Sequence, residues 1–332
     1  MRLSATLLAC AAVLLPCAAA DAAKTSPRPK PNTGLTGSRC VTAPLAGPGA
    51  PALDTAALGV LPAPYEVGPP GGLLGRLEGV RRVMLFVHGG GWYTVGDGAM
   101  HTMRGQADAW RAAGWATVNA DYRSCRRSAG GVVALYDRVR ARFGPGVPVC
   151  VMGESAGGHL ALLLAARRPD VACVIALGAP TDLWTIRRQG AAAAASGAPA
   201  ALADGSRFVR GLARAAFGRA GLAQESPATH AASITGRLLL ASASDDVLVP
   251  LEQAQQLADA VRAARPDAYA EVVRLEPGEQ RFVHGTARAA SMDDYERRVA
   301  AVVAPFGRAP SSAPPVVSLL DRLTGWLRPR RR

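Results

Sequence analysis

The run Val147-Pro148-Val149-Cys150-Val151-Met152 leads directly into Gly153-Glu154-Ser155-Ala156-Gly157-Gly158, and then into His159-Leu160-Ala161-Leu162-Leu163-Leu164. A short valine-rich run, a turn of mostly small residues and an apolar helical pattern follow one another without a spacer, which reads as strand, turn, helix. In a G-x-S-x-G turn the serine sits on strained backbone, and side chains at positions 153 and 157 would strike the neighbouring chain. The helix that opens after Ser155 aims its free N–H groups and its dipole at any negative charge developing nearby. A bare G-x-S-x-G arises by chance in a chain with 36 glycines, so the specificity lies in the strand before it and the helix after it. Ser155 is the expected nucleophile.

A second glycine cluster, His88-Gly89-Gly90-Gly91-Trp92, follows the apolar run Val83 to Val87. Acyl transfer develops an oxyanion that needs preorganised N–H donors, and glycines let the backbone approach it closely. Gly89 and Gly90 are expected to supply two amides and Ala156 a third. A phosphate loop fits poorly, because no Lys-Ser/Thr follows the glycines and no G-x-G-x-x-G opens a helix.

Further apolar runs at 115–120, 171–177, 237–243 and 270–275 alternate with helical patterns at 100–113, 131–143, 156–168, 251–264 and 287–304. Strands this short and this uniformly apolar suit a parallel sheet covered on both faces, and the alternation implies βαβ crossovers. The expectation is an α/β fold with a doubly wound, mostly parallel sheet, preceded by one or two edge strands within 44–72. The connection from Gly178 to Arg237 is too long to be structureless. A helix is expected around Ser206 to Phe217, and the insertion, about 182–236, is expected to form a lid over the site.

His88-Gly-Gly-Gly-Trp92 together with Gly153-Glu-Ser155-Ala-Gly-Gly158 resembles the carboxylesterase side of the α/β-hydrolase superfamily. It is similar to hormone-sensitive-lipase-like esterases and to the feruloyl and acetylxylan esterase group. The resemblance runs from about Val80 to Phe306 and extends to Asp121-Tyr122-Arg123, Pro180-Thr181-Asp182-Leu183 and Ser226-Pro227 with His230. It implies an α/β-hydrolase fold with the chain order nucleophile, acid, histidine.

Ser244-Asp245-Asp246-Val247-Leu248-Val249-Pro250 follows the run 237–243 and offers two aspartates. The family pattern places the acid four residues before the proline, which selects Asp246 and leaves Asp245 as a turn or cap residue. Of the five histidines only His284 follows the acid, and it is the expected general base. His230 is expected to satisfy a loop hydrogen bond. Trp92 and Tyr93 are expected either to line the substrate pocket or simply to pack. Glu154 reads equally as a tether beside the nucleophile, bordering the substrate pocket, and as an exposed or cap-bonded carboxylate at a helix start. Asp97 reads as a turn residue.

The 332 residues carry a formal charge of +13, but much of the excess lies at the two ends. Setting aside Arg2, Lys24, Arg28, Lys30, Arg39, Arg322, Arg328, Arg330, Arg331 and Arg332, with Asp21 and Asp321, leaves 28 basic and 23 acidic side chains. That near-ordinary body lacks the basic, aromatic-interleaved stripe of a nucleic-acid protein. Arg2, the apolar stretch Leu7 to Leu15 and the small residues to Ala20 or Ala23 read as a secretory signal peptide, residues 1–23, rather than a membrane span. Export to the periplasm or exterior follows; Leu7 to Cys10 resembles a lipobox but lies too close to Met1 to leave a normal apolar region. Residues 24–40 read as a flexible lead-in, 41–308 as the catalytic domain, and 309–332 as a Pro/Ser linker with a basic amphipathic tail able to touch an anionic membrane surface. Cys40, Cys125, Cys150 and Cys173 allow three disulfide connectivities or buried thiols.

The expected activity is hydrolysis of a small-molecule carboxylic ester through an acyl-serine, without metal or organic cofactor. Amide or peptide cleavage, of prolyl-oligopeptidase-like or arylformamidase-like type, uses the same residues. A non-catalytic binding protein on the same fold is the expectation of a different class.

Overall fold

The computed structural model describes residues 65–68, 79–94, 97–311 and 314. The leader, the lead-in, Cys40 and the basic tail from residue 315 onward lie outside the described residues. A seven-stranded sheet runs in the order β1-β3-β2-β4-β5-β6-β7. Its strands are β1 (Tyr65–Gly68), β2 (Val83–Val87), β3 (Ala116–Ala120), β4 (Val149–Glu154), β5 (Cys173–Leu177), β6 (Arg237–Ala243) and β7 (Ala270–Leu275). Only β1 is antiparallel, to β3; every other pairing is parallel. Strands β2 to β5 are buried at every position, which is why their sequences show no polar alternation.

Helices cover both faces. Helices α1 (Asp97–Ala112) and α8 (Ala289–Val303) enclose one apolar core with Trp110, Trp115, Phe282 and Tyr295. Helices α2 (Ser128–Phe143), α3 (Ala156–Arg167) and α7 (Glu252–Ala264) enclose the other. The 178–237 connection holds α4 (Ile186–Ala195), α5 (Ala201–Phe217), the short α6 (Gly221–Gln224) and a 3₁₀ segment at Pro227–Ser233. The helix expected from 206 is therefore one turn longer at its start and is paired with a second helix over the alanine run. Two short strands, β8 (Gln280–Phe282) and β9 (Gly285–Ala287), form a separate antiparallel hairpin.

Cys150 and Cys173 face each other across β4 and β5 and form a disulfide; Cys125 is also disulfide-bonded. The described residues after Phe306 lie along the α1/α8 face. Trp115 Nε1 donates to Arg308 O at 2.7 Å, Gln106 Nε2 donates to Pro314 O at 2.5 Å, and Ala309 packs on the α1/α8 core. An extended Pro-rich chain makes no internal hydrogen bonds, so its carbonyls are open to the indole and amide donors of this face.

Deep in the other core, His159 is fully buried at the start of α3. Its Nδ1 accepts from Trp92 Nε1 at 3.1 Å, and its Nε2 donates to Glu225 O at 2.5 Å. Burial pushes its pKa down to about 3, whereas an unfolded histidine takes a proton near pH 6.5. The folded value is the lower one, so this stabilisation is complete above pH 6.5 and is lost as the pH falls toward 3. At pH 5 the unfolded chain gains about 2 kcal/mol from this group alone. Thermal melts between pH 7 and pH 5 should show a falling Tm, and His159→Gln should flatten that slope; an equal slope in the variant would assign the acid sensitivity elsewhere.

Candidate active site

The C-terminal ends of β2, β4 and β6 and the β8–β9 hairpin converge on one crevice edge, where open α/β sheets place their ligands. Ser155 occupies the turn between β4 and α3 with φ 50° and ψ −122°, a left-handed conformation that an ordinary residue adopts only at a cost. The surrounding glycines explain how that turn fits. A Cβ on Gly153 would lie 2.5 Å from Gly157 O, one on Gly158 would lie 2.8 Å from Ala179 Cβ, and one on Gly157 would run into the Val87 and His88 carbonyl oxygens. The last contact seats the first turn of α3 directly against the end of β2.

His284 sits at the tip of the hairpin, directly after Val283, which is buried with φ 47°. His284 Nε2 lies 3.0 Å from Ser155 Oγ, and Nδ1 lies 3.1 Å from Asp246 Oδ2. The other oxygen of Asp246 accepts from the Leu248 and Val249 N–H groups at 2.7 and 2.8 Å. Asp246 is almost fully buried, His284 nearly so, and Ser155 remains partly exposed. The neighbouring Asp245 does something else: its two oxygens accept from Thr286 N and Thr286 Oγ1 at 2.8 and 2.5 Å, anchoring β9. The two adjacent aspartates thus hold the two ends of the same hairpin tip.

The loop 88–94 is held by a buried network. His88 reaches Gly89 O through Nδ1 at 2.6 Å and Asp121 Oδ1 through Nε2 at 2.9 Å. Tyr122 donates its hydroxyl to Gly89 O at 3.1 Å and stacks on the His88 ring at 4.4 Å. Gly89 N donates to Glu154 Oε1 at 3.2 Å. That bond corrects the expectation that Gly89 supplies an oxyanion donor, because its N–H is already taken by a buried carboxylate. Among the described residues, the N–H groups of Gly90, Gly91 and Ala156 make no such bond. Gly91, which lies in the same glycine run as Gly89 and Gly90, thus has an N–H without the bond that Gly89 makes.

Glu154 is fully buried, so neither a solvated carboxylate nor a pocket wall describes it. Burial pushes its pKa up, opposed by the positive charge His284 can carry, by the Gly89 N–H and by His88. Trp92 is also corrected as a pocket residue. Its φ of 67° turns the ring into the core, where it is 1% exposed and packs edge-on against His159 and Phe217. Tyr93 is half-buried, and its hydroxyl donates to Leu212 O at 3.3 Å, tying this loop to α5. Burial pushes that phenol up to about 12. His230 Nε2 donates to Gln224 O at 2.8 Å, away from the Ser155 cluster. Asp97 lies in the first turn of α1. Among the described residues, no group of three or more His, Cys, Asp or Glu side chains could hold a metal ion.

A mostly parallel sheet carrying a serine on the turn after its central strand, with histidine and aspartate following in that chain order, defines the α/β-hydrolase class of folds. Solved structures agree with that class. Thermogutta terrifontis esterase 2, in its form phosphonylated by sarin, aligns with a TM-score of 0.57 and 17% identity over 75% of this chain and 91% of that one. A hormone-sensitive lipase from a metagenome library aligns with a TM-score of 0.50 and 17% identity, covering 68% and 79%. The sequence matches no protein-family model and no curated protein. The chain has the α/β-hydrolase fold.

Proposed function

We propose that this chain is an exported serine hydrolase that cleaves carboxylic esters through an acyl-serine intermediate. The observation that carries the reading is the unbroken chain from partly exposed Ser155 through His284 to buried Asp246, with contacts of 3.0 and 3.1 Å. In this reading His284 Nε2 takes the Ser155 proton as Oγ attacks the ester carbonyl. The Asp246 carboxylate fixes the tautomer with Nδ1–H and stabilises the imidazolium. Gly90, Gly91 and Ala156 offer N–H groups to the tetrahedral oxyanion. His284 then protonates the departing alkoxide, and a water molecule repeats the sequence at the acyl carbon to release the acid.

Glu154 supports this arrangement indirectly by pinning Gly89, so that the two residues after it are presented rather than wandering. The Thermogutta esterase is described as phosphonylated by sarin and as bound to propionate and to butyrate, which supports a reading with a small acyl group. The Cys150–Cys173 disulfide supports export, since such bonds persist in oxidising compartments. The test compares p-nitrophenyl acyl esters with aminoacyl-anilides on the purified chain. Faster turnover of esters is expected; faster turnover of anilides would make the protein an amidase, and turnover of neither would favour a binding role.

A further inference from the structure

Helix α5 crosses the site between two fixed points. At Gly205 it meets the Val247 carbonyl so closely that a Cβ there would overlap the oxygen, and Val247 directly follows Asp246. At Leu212 it touches Gly91, with Leu212 Cδ1 3.0 Å from where a Cβ on that glycine would lie. Those seven residues span about 10 Å at the helical rise of 1.5 Å per residue. In the sheet, Val247 follows β6 and Gly91 follows β2, so this stretch of α5 passes above the ends of β5 and β4, and Ser155 stands at the end of β4.

Positions 205, 208 and 212 share one face of a helix. Position 209 shares that face too, but Val209 is buried in the core, which leaves Phe208 as the other side chain between the two anchor points. It is half-buried, yet it belongs to neither apolar core, unlike Val209, Ala213 and Phe217 of the same helix. Phe208 is thus an apolar side chain on this face that neither core encloses. The opposite face carries Arg207, Arg210 and Arg214, and Arg210 lies over the Trp184 ring at 5.3 Å, so the two sides of α5 are chemically distinct.

The leaving oxygen of an ester must lie against His284 Nε2, on the hairpin side. We propose that the acyl chain extends away from that side, beneath the 205–212 segment, and that Phe208 is its specificity-determining wall and restricts the protein to short-chain acyl esters; the inference rests on the ester-hydrolase reading above.

The test is the ratio of kcat/KM for p-nitrophenyl octanoate to that for p-nitrophenyl acetate, a quantity independent of the fraction of protein folded. Phe208→Ala is expected to raise the ratio at least tenfold, Phe208→Trp to lower it, and Arg214→Gln, on the far face of α5, to leave it unchanged. Equal ratios in wild type, Phe208→Ala and Phe208→Trp would overturn the assignment while leaving the ester-hydrolase reading intact. A shift in Arg214→Gln as large as in Phe208→Ala would also overturn it, by tracing the effect to the helix as a whole. Wild-type protein inactive on both esters would remove the ester-hydrolase reading, and this inference with it.

Discussion

Asp246→Asn is expected to lower kcat on p-nitrophenyl acetate by about 10⁴-fold, while Asp245→Asn keeps most of the activity. The difference follows from what each carboxylate touches. The Asn amide at 246 would keep its oxygen on the Leu248 and Val249 N–H groups, which occupy Oδ1. Its NH₂ group would then face His284 Nδ1, where the Asp246 carboxylate now lies at 3.1 Å. A donor there forces Nδ1 to accept, so Nε2 carries the proton and cannot take one from Ser155. Asp245, by contrast, holds Thr286, and its loss should cost about 1 kcal/mol of stability per weakened bond. Steady-state kinetics and urea midpoints on the two variants check this. A larger kcat loss in Asp245→Asn than in Asp246→Asn would contradict the assignment.

Gly157→Ala should damage both stability and rate, although it adds only one methyl group. That methyl would sit against the Val87 and His88 carbonyl oxygens at the end of β2, the neighbour of β4 in the sheet. Backbone pinned within a sheet cannot move aside as a side chain can, so overpacking of about 2–3 kcal/mol is expected. The displacement would also separate the Ala156 amide from Gly90 and Gly91, and misplacement of about 1 Å can cost on the order of 10²-fold in rate. A variant with wild-type urea midpoint and kcat within threefold would show that the first turn of α3 is not wedged as described.

The strands were legible because a parallel sheet buried on both faces leaves an unbroken apolar run, and β2, β3, β4 and β5 are such runs. The serine turn was legible because sterics permit so few residues there. Contacts made across long stretches of chain left no local trace. Gly89 N meets Glu154 across 65 positions, and Trp115 meets Arg308 across 193. Nothing at either member of those pairs marks the other. Between the two readings of Trp92 the sequence does not choose, because its ring direction depends on a left-handed φ that sequence does not reveal at a non-glycine position. The choice between Asp245 and Asp246 rested on the family spacing, and the three-dimensional arrangement supplies a separate physical ground for it in the Thr286 bonds.

The central claim is that Ser155 is the activated nucleophile of an acyl-transfer site. The most direct measurement is reaction of the purified, folded chain with a fluorophosphonate probe, followed by peptide mapping of the labelled residue. The account predicts one label per chain, on the peptide containing Gly153-Glu154-Ser155-Ala156-Gly157, absent from Ser155→Ala and strongly slowed in His284→Ala. A folded chain that stays unlabelled, or one labelled on a different serine, would contradict it.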